Sequence, residues 1–329
     1  MTAPTWETVQ TVLGDRLRHG EPLAKRTTLR IGGAARWWAE PRDLDELTGV
    51  LAAARAHQVP VVCLGLGSNA LCPDEGIEGV VVRLSGDLAG VQLEDTDEDE
   101  TIAHVGAGAV NAHVVRALLA QGWVGAEFLR LIPGTFGGSI AMNAGTKERW
   151  VSDILICATL VVPDERGFFC VRELSASELE LGYRHASIPE GALVLGGRVH
   201  VTRGDTQEAA ARVRFDKERR ERTQPYKLAS VGSTFANPEG DYAGRLLDAV
   251  GLKGFAIGGA RVSPLHANFF INTGGATARD FIGLMATARV RVRREFGVEL
   301  TPEVRFVGFD GWSYRLEMER ALEREGDDA

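Results

Sequence analysis

The sequence predicts an α+β fold with mixed sheets, on three observations. Helical and strand-like stretches alternate, but not as the regular βαβ series of a parallel sheet. The glycine-rich segments carry neither the G-x-G-x-x-G spacing of a doubly wound dinucleotide fold nor the GK[ST] ending of a P-loop. The length of 329 residues, with 44% hydrophobic and 25% charged residues, suits a globular chain of two or three domains with a large core.

The elements follow from periodicity. Residues 1 to 20 read as one amphipathic helix, with Trp6, Val9, Val12, Leu13 and Leu17 near helical spacing. The segment Thr27–Ala39 is broken at Gly32-Gly33. Asp43 caps a helix that turns Leu44, Leu47 and Val50 inward. Val59–Leu66 is a short apolar run ending in glycine, a buried strand feeding a loop, and Gly79–Leu84 is a further strand. Glu94–Glu100 is almost wholly acidic and reads as a solvated hairpin tip. A strand over Thr101–Val105 leads through Gly106-Ala107-Gly108 to a helix over Asn111–Gln121. Strand-like runs fill Ile154–Val162, Phe168–Leu174 and Ala192–Val201. From Thr206 to Arg222 the pattern turns helical and strongly charged, which fits a domain boundary near residue 205. Beyond it come helices at Tyr242–Val250 and Ala278–Phe296 and strands at Asn268–Asn272 and Glu303–Val307. The second of these helices carries Phe281, Met285, Ala288 and Val292 on one face. The tail, 311–329, is charged.

Composition narrows the function. The net charge of −8 argues against a nucleic-acid partner, and an anionic substrate must be caught by local positive groups. No apolar run reaches the ~18 residues of a membrane span, and the N-terminus lacks the basic-then-apolar pattern of a signal peptide, so a cytoplasmic protein is expected. The four cysteines, Cys63, Cys72, Cys157 and Cys170, form no CxxC pair and have no His cluster beside them. Three lie in apolar runs and read as buried free thiols; no metal is expected.

Five segments carry candidate chemistry. Gly65-Leu66-Gly67-Ser68-Asn69 ends an apolar strand, where glycine lets the backbone approach a ligand and successive N–H groups can cradle phosphate; a tight structural turn explains it equally. Ile132-Pro133-Gly134-Thr135-Phe136-Gly137-Gly138-Ser139, followed by Met142-Asn143-Ala144-Gly145, exposes backbone donors suited to a pyrophosphate. Gly232-Ser233-Thr234-Phe235-Ala236-Asn237-Pro238 has neither a G-x-S-x-G elbow nor an evident His partner, so hydrolase chemistry has little support. Gly182-Tyr183-Arg184 and Thr301-Pro302-Glu303 complete the set. The residues alone lead to a nucleotide- or phosphate-binding α+β enzyme.

Taken together the segments resemble the UDP-N-acetylenolpyruvoylglucosamine reductase (MurB) family. The matching pieces run in order through Thr27–Gly33, Leu64–Asn69, Gly106–Gly108, Ile132–Gly145, Tyr183-Arg184, Gly232–Pro238, His266–Asn272 and Leu300–Val304. The resemblance implies a two-lobed FAD-binding domain of the vanillyl-alcohol-oxidase (PCMH) type at 21–205, lobes about 21–86 and 87–205, followed by an α+β substrate domain at 206–310. It implies NADPH as reductant and the enolpyruvyl ether of a UDP-sugar as substrate. It implies that Arg184 and Glu303 stabilise an enolate-like charge, with Glu303 able to help only if burial keeps it protonated, and that Ser233 donates the proton. Non-covalent FAD contacts carry over to Gly65, Gly67, Ser68, Asn69, Pro133, Gly134, Thr135, Gly138, Ser139 and Asn143; substrate contacts carry over to Tyr183, Lys227 and Asn237. No His lies beside either glycine-rich loop to anchor a covalent flavin.

Three departures stand out. Thr146-Lys147-Glu148-Arg149-Trp150 replaces a small residue followed by Tyr-Gly, Ala236 replaces a frequent Lys, and Ala229 a frequent Pro. The short gap between Arg184 and Ser233 matches the compact subtype, without the extra tyrosine-bearing loop. A flavin oxidase of the same fold, or a flavin binder without turnover, are the alternatives; neither requires Ser233 and Glu303 together.

Overall fold

Strand and helix starts follow local chemistry closely in the computed structural model, which describes residues 4–94, 99–164, 169–309, 315, 319–320 and 322–323. Residues 95–98 of the acidic run and most of the charged tail lie outside them. The chain begins with α1 (Trp6–Leu13), β1 (Leu17–Pro22), β2 (Ala34–Ala39), α2 (Leu44–Ala56), β3 (Val61–Cys63), β4 (Ala70–Leu71) and β5 (Ile77–Val82). It continues through β6 (Val91–Leu93), β7 (Glu100–Gly106), α3 (Asn111–Leu119), β8 (Trp123–Val124), α4 (Phe136–Ala141), β9 (Leu155–Pro163), β10 (Phe169–Ser175) and β11 (Leu193–Arg203). The rest is α5 (Thr206–Thr223), β12 (Ala229–Ser233), α6 (Ala243–Ala249), β13 (Ala256–Ile257), β14 (Ala260–Val262), β15 (Phe269–Asn272), α7 (Ala278–Phe296) and β16 (Arg305–Phe306).

The single helix expected over residues 1–20 is shorter. Gly14, at φ 56°, ends α1, and Leu17 already belongs to β1. A glycine at positive φ adopts backbone that other residues rarely reach, and here it stops the helix. Helix α2 starts as its sequence says: the Asp43 carboxylate accepts from the Glu46 N–H at 2.8 Å.

The chain packs as two compact units. One comprises Met1–His19, Trp37–Leu66 and Gly79–Glu218; the other comprises Gly20–Arg36, Gly67–Glu78 and Arg219–Ala329. Consecutive stretches do not describe them, because Gly20–Arg36 and Gly67–Glu78 pack with the C-terminal segment. The first unit holds a sheet of order β10-β9-β11-β7-β6, with β8 on β11, all antiparallel. Its core joins Val105, Val114, Leu118, Phe136, Leu160 and Val199. A further sheet has the order β1-β2-β5-β3, with β3 parallel to β5.

The second unit holds the antiparallel sheet β12-β15-β14-β13 and the parallel pair β16-β4. Helix α7 opens with a reciprocal capping box between Thr277 and Asp280 and closes at left-handed Gly297. Phe281, Met285, Ala288 and Val292 are all buried, as their spacing predicts. Cys72 and Cys157 are buried, but Cys63 and Cys170 are exposed, which corrects the reading of three buried thiols. The reason for Cys170 is topological: β10 is an edge strand whose central residues face solvent. Among the described residues no helix is long and apolar enough to cross a membrane, and no group of His, Cys, Asp and Glu could hold a metal ion.

Candidate active site

In the first unit, the Ile132–Gly145 loop is zipped to the Ala107–Asn111 stretch. Gly137 N donates to Ala107 O at 2.9 Å, Phe136 N to Ala109 O at 2.8 Å, and Asn111 N to Gly134 O at 3.1 Å. The loop thereby walls a cavity of about 180 Å³ lined by Cys63, Gly65, Leu84, Thr135, Gly138 and Leu193, among others. Gly65 is there for space: a Cβ would collide with the Thr135 hydroxyl. Gly138 is exposed, and beside it only Thr135 Oγ1, at 3.8 Å, would meet an added Cβ. Apolar side walls and a backbone floor without side chains suit part of a flavin dinucleotide, with Gly65, Thr135 and Gly138 as the residues that would meet it.

The other members of that loop divide by role. Gly134 and Thr135 are buried and Pro133 is exposed. Ser139 turns its hydroxyl inward, donating to Thr135 O at 3.3 Å and accepting from Asn111 Nδ2 at 2.8 Å. Asn111, fully buried, also donates to Ile132 O at 2.9 Å and so ties the start of the loop to Ser139 in α4. The sequence reading passed over Asn111 as a site residue; the signal was an amide at the start of a helix three residues after Gly108.

Asn143 is also engaged within the protein. At φ 36°, its Oδ1 accepts from Ser152 N at 2.9 Å and its Nδ2 donates to Gly182 O at 3.0 Å. The second bond fixes the base of a two-residue turn: Gly182 N donates to His185 O at 3.0 Å and His185 N to Gly182 O at 3.2 Å. Tyr183 and Arg184 form the turn's tip. Arg184 sits at φ 57°, a left-handed conformation that costs a side-chain-bearing residue ~1 kcal/mol. Strain of this kind is held in place by its surroundings and marks functional positions. Those surroundings are aromatic. The Arg184 guanidinium carbon lies 5.2 Å from the Trp150 ring centroid and 5.3 Å from that of Tyr183, and the two rings meet edge to face at 5.5 Å.

In the second unit, Ser233 and Glu303 come together through the backbone. A bulge between Ser230 and Ser233 interrupts the β12–β15 ladder, so that Ser233 pairs with Phe269. Bulges re-aim side chains beside active sites. Buried Asn268 holds the following turn from both sides: its Oδ1 accepts from Phe235 N at 3.0 Å and its Nδ2 donates to Phe235 O at 2.8 Å. Thr301–Val304 runs alongside, with Glu303 N donating to Thr234 O at 2.8 Å and Ala236 N to Thr301 O at 2.9 Å. From the first glycine motif, Gly67–Asn69 belong to this unit; Asn69 Nδ2 donates to Glu303 O at 3.0 Å and its Oδ1 is buried without a hydrogen-bond partner. Ser68 is half-buried. Asn237 is exposed and its Oδ1 accepts from Ala243 N at 3.1 Å, capping α6. Lys227 is exposed in the loop before β12.

Comparison with known proteins gives two family matches: residues 224–307 match the UDP-N-acetylenolpyruvoylglucosamine reductase C-terminal domain, and residues 36–167 match an FAD binding domain. The chain is 45% identical to the UDP-N-acetylenolpyruvoylglucosamine reductase of Anaeromyxobacter dehalogenans (strain 2CP-C), over 92% of this chain and 90% of that one. It is 40% identical to the reductase of the same name from Myxococcus xanthus (strain DK1622), over 91% and 95%. A crystal structure of the Thermus caldophilus reductase superposes with a TM-score of 0.72 at 32% identity, covering 88% of this chain and 97% of that one.

Proposed function

This chain belongs to the UDP-N-acetylenolpyruvoylglucosamine reductase family, and from that premise we propose that it reduces the enolpyruvyl ether of UDP-N-acetylglucosamine to UDP-N-acetylmuramate at the expense of NADPH. FAD, when bound, supplies the hydride-transfer chemistry between NADPH and the substrate double bond. Gly65, Gly67, Ser68, Asn69, Pro133, Gly134, Thr135 and Gly138 would hold the flavin dinucleotide, a reading supported by the cavity that Gly65, Thr135 and Gly138 line, while Ser139 and Asn143 would keep the loop in shape.

The remaining chemistry belongs to the protein. Arg184 offers a fork of donors to the substrate carboxylate. Once hydride has joined the methylene carbon, the electron pair left on the neighbouring carbon delocalises into that carboxylate. Arg184 stabilises the resulting enolate, and Glu303 adds a hydrogen bond in its acid form. The Ser233 hydroxyl delivers the proton that completes the product. Serine is a poor acid, so it works within a polarised network. Tyr183 and Asn237 position the sugar nucleotide, and Lys227 meets its diphosphate.

The observation that carries this reading is the Glu303 N to Thr234 O hydrogen bond, which ties the backbone of the acid to the residue that follows Ser233, beside a bulge. The test is NADPH consumption with the UDP-linked enolpyruvyl sugar under nitrogen. The reading requires stoichiometric NADPH loss and a product heavier by two hydrogens. Turnover that needs oxygen and leaves the sugar unchanged would make the protein an oxidase. The setting proposed is the cytoplasm, where NADPH is available.

A further inference from the structure

The Thr146–Trp150 segment is built rather than slack. Thr146 N donates to Arg149 O at 2.8 Å, and the Thr146 hydroxyl accepts from Glu148 N and Arg149 N at 3.3 Å. Trp150 then pairs with Gly145 across an isolated bridge, and its N–H donates to the Asp153 carboxylate at 2.8 Å. The indole lies flat against Gly145, where an added Cβ would stand 2.6 Å from the ring. A fixed backbone and a bare glycine beneath leave the ring one seat. That seat is beside the tip of the Tyr183-Arg184 turn, with the guanidinium carbon near both ring faces.

We propose that Trp150 is a positioning residue for the reduction: with Tyr183 it forms an aromatic clamp that fixes the Arg184 guanidinium for the substrate carboxylate. Three facts support this. Arginine pairs with indole more strongly than with the other aromatic rings. A clamp of two rings at 5.2 and 5.3 Å restricts a side chain that otherwise has many rotamers. The left-handed backbone of Arg184 shows that the fold accepts strain to present this side chain. Asn143, through Gly182, ties the turn to the same loop from which Trp150 rises.

The inference rests on the assignment of Arg184 to the carboxylate, and the test separates the two. Flavin-loaded Trp150→Ala, Trp150→Phe, Arg184→Ala and the double variant Trp150→Ala/Arg184→Ala are followed through both half-reactions: reduction by NADPH, then reoxidation by the enolpyruvyl sugar. Trp150→Ala should leave the first unchanged and slow the second about two- to fivefold, the range of a lost cation–π contact at a partly exposed site. Trp150→Phe should recover most of the rate, and Trp150→Ala should add nothing in the Arg184→Ala background. A Trp150→Ala protein with normal reoxidation, beside a crippled Arg184→Ala, overturns the clamp and leaves the Arg184 role intact. Normal reoxidation in Arg184→Ala overturns the role and the clamp with it. Equal slowing of both half-reactions, or a further loss in the double variant, reduces Trp150 to a general structural residue and also refutes the proposal.

Discussion

Asn69 Nδ2 donates to the backbone carbonyl of Glu303 at 3.0 Å, so the last residue of the first glycine motif holds the segment that carries the candidate acid. The two are far apart in the chain, but both belong to the second unit. The neighbouring backbone reinforces the link, with Arg305 N donating to Asn69 O at 3.0 Å and β4 pairing with β16.

Asn69→Ala should therefore act through Glu303. A lost neutral hydrogen bond of ~1 kcal/mol corresponds to about a fivefold slower reoxidation by substrate. Rapid-mixing kinetics of the reoxidation step on flavin-saturated protein will measure it, with flavin affinity determined separately because Asn69 is also a proposed flavin contact.

Asn111→Ala should loosen the flavin loop. It removes the donor to Ile132 O and Ser139 Oγ and empties a fully buried site, at a cost of about 1–3 kcal/mol. Thermal unfolding should move to lower temperature, and flavin fluorescence should appear earlier in the melt than in the parent.

Much of the scaffold was legible because its signals are local. Asp43 caps α2 through the neighbouring Glu46 amide, and the buried face of α7 repeats at helical spacing within one segment. Gly14 was equally readable as a helix stop, yet the apolar spacing through Leu17 masked it. The site was harder. Gly-rich loops announce backbone donors, but Ser139 and Asn143 use their side chains on the protein itself, which depends on Asn111 and Ser152 arriving from elsewhere. Nothing in Tyr183-Arg184 as a dipeptide shows a left-handed turn, and Trp150 gains meaning only once that turn lies beside it. The discontinuous units were out of reach for the same reason: Gly67–Glu78 joins the C-terminal segment through long-range pairing.

The core of the second unit offers a stability test. Phe281 is fully buried and meets Phe270 edge to face at 5.8 Å. Phe281→Ala should cost about 3–5 kcal/mol and lower the denaturation midpoint in urea.

Acid stability should report the Arg16–Glu46 pair. Arg16 Nη2 donates to Glu46 Oε1 at 2.6 Å, and this bond, with the Arg42 N–H, holds the Glu46 carboxyl below its ordinary 4.5. A depressed folded-state value means the contribution is fully present above the unfolded value and is lost as pH falls through the folded one. Glu46→Gln should thus lower stability at neutral pH by about 1–2 kcal/mol and flatten the loss below about pH 4.5. Melting curves across pH 2–8 (roughly the carboxylate-to-neutral range) will compare the two proteins.

The central claim is that Ser233 completes the reduction of an enolpyruvyl sugar. Anaerobic stopped-flow absorbance of the flavin in the Ser233→Ala protein tests it most directly. The account predicts normal bleaching by NADPH and, on adding the UDP-linked sugar, reoxidation slowed by about 10²–10⁴-fold, the usual weight of a general acid. Reoxidation at the parental rate would remove Ser233 from the chemistry and with it the proposed division of labour among Arg184, Ser233 and Glu303.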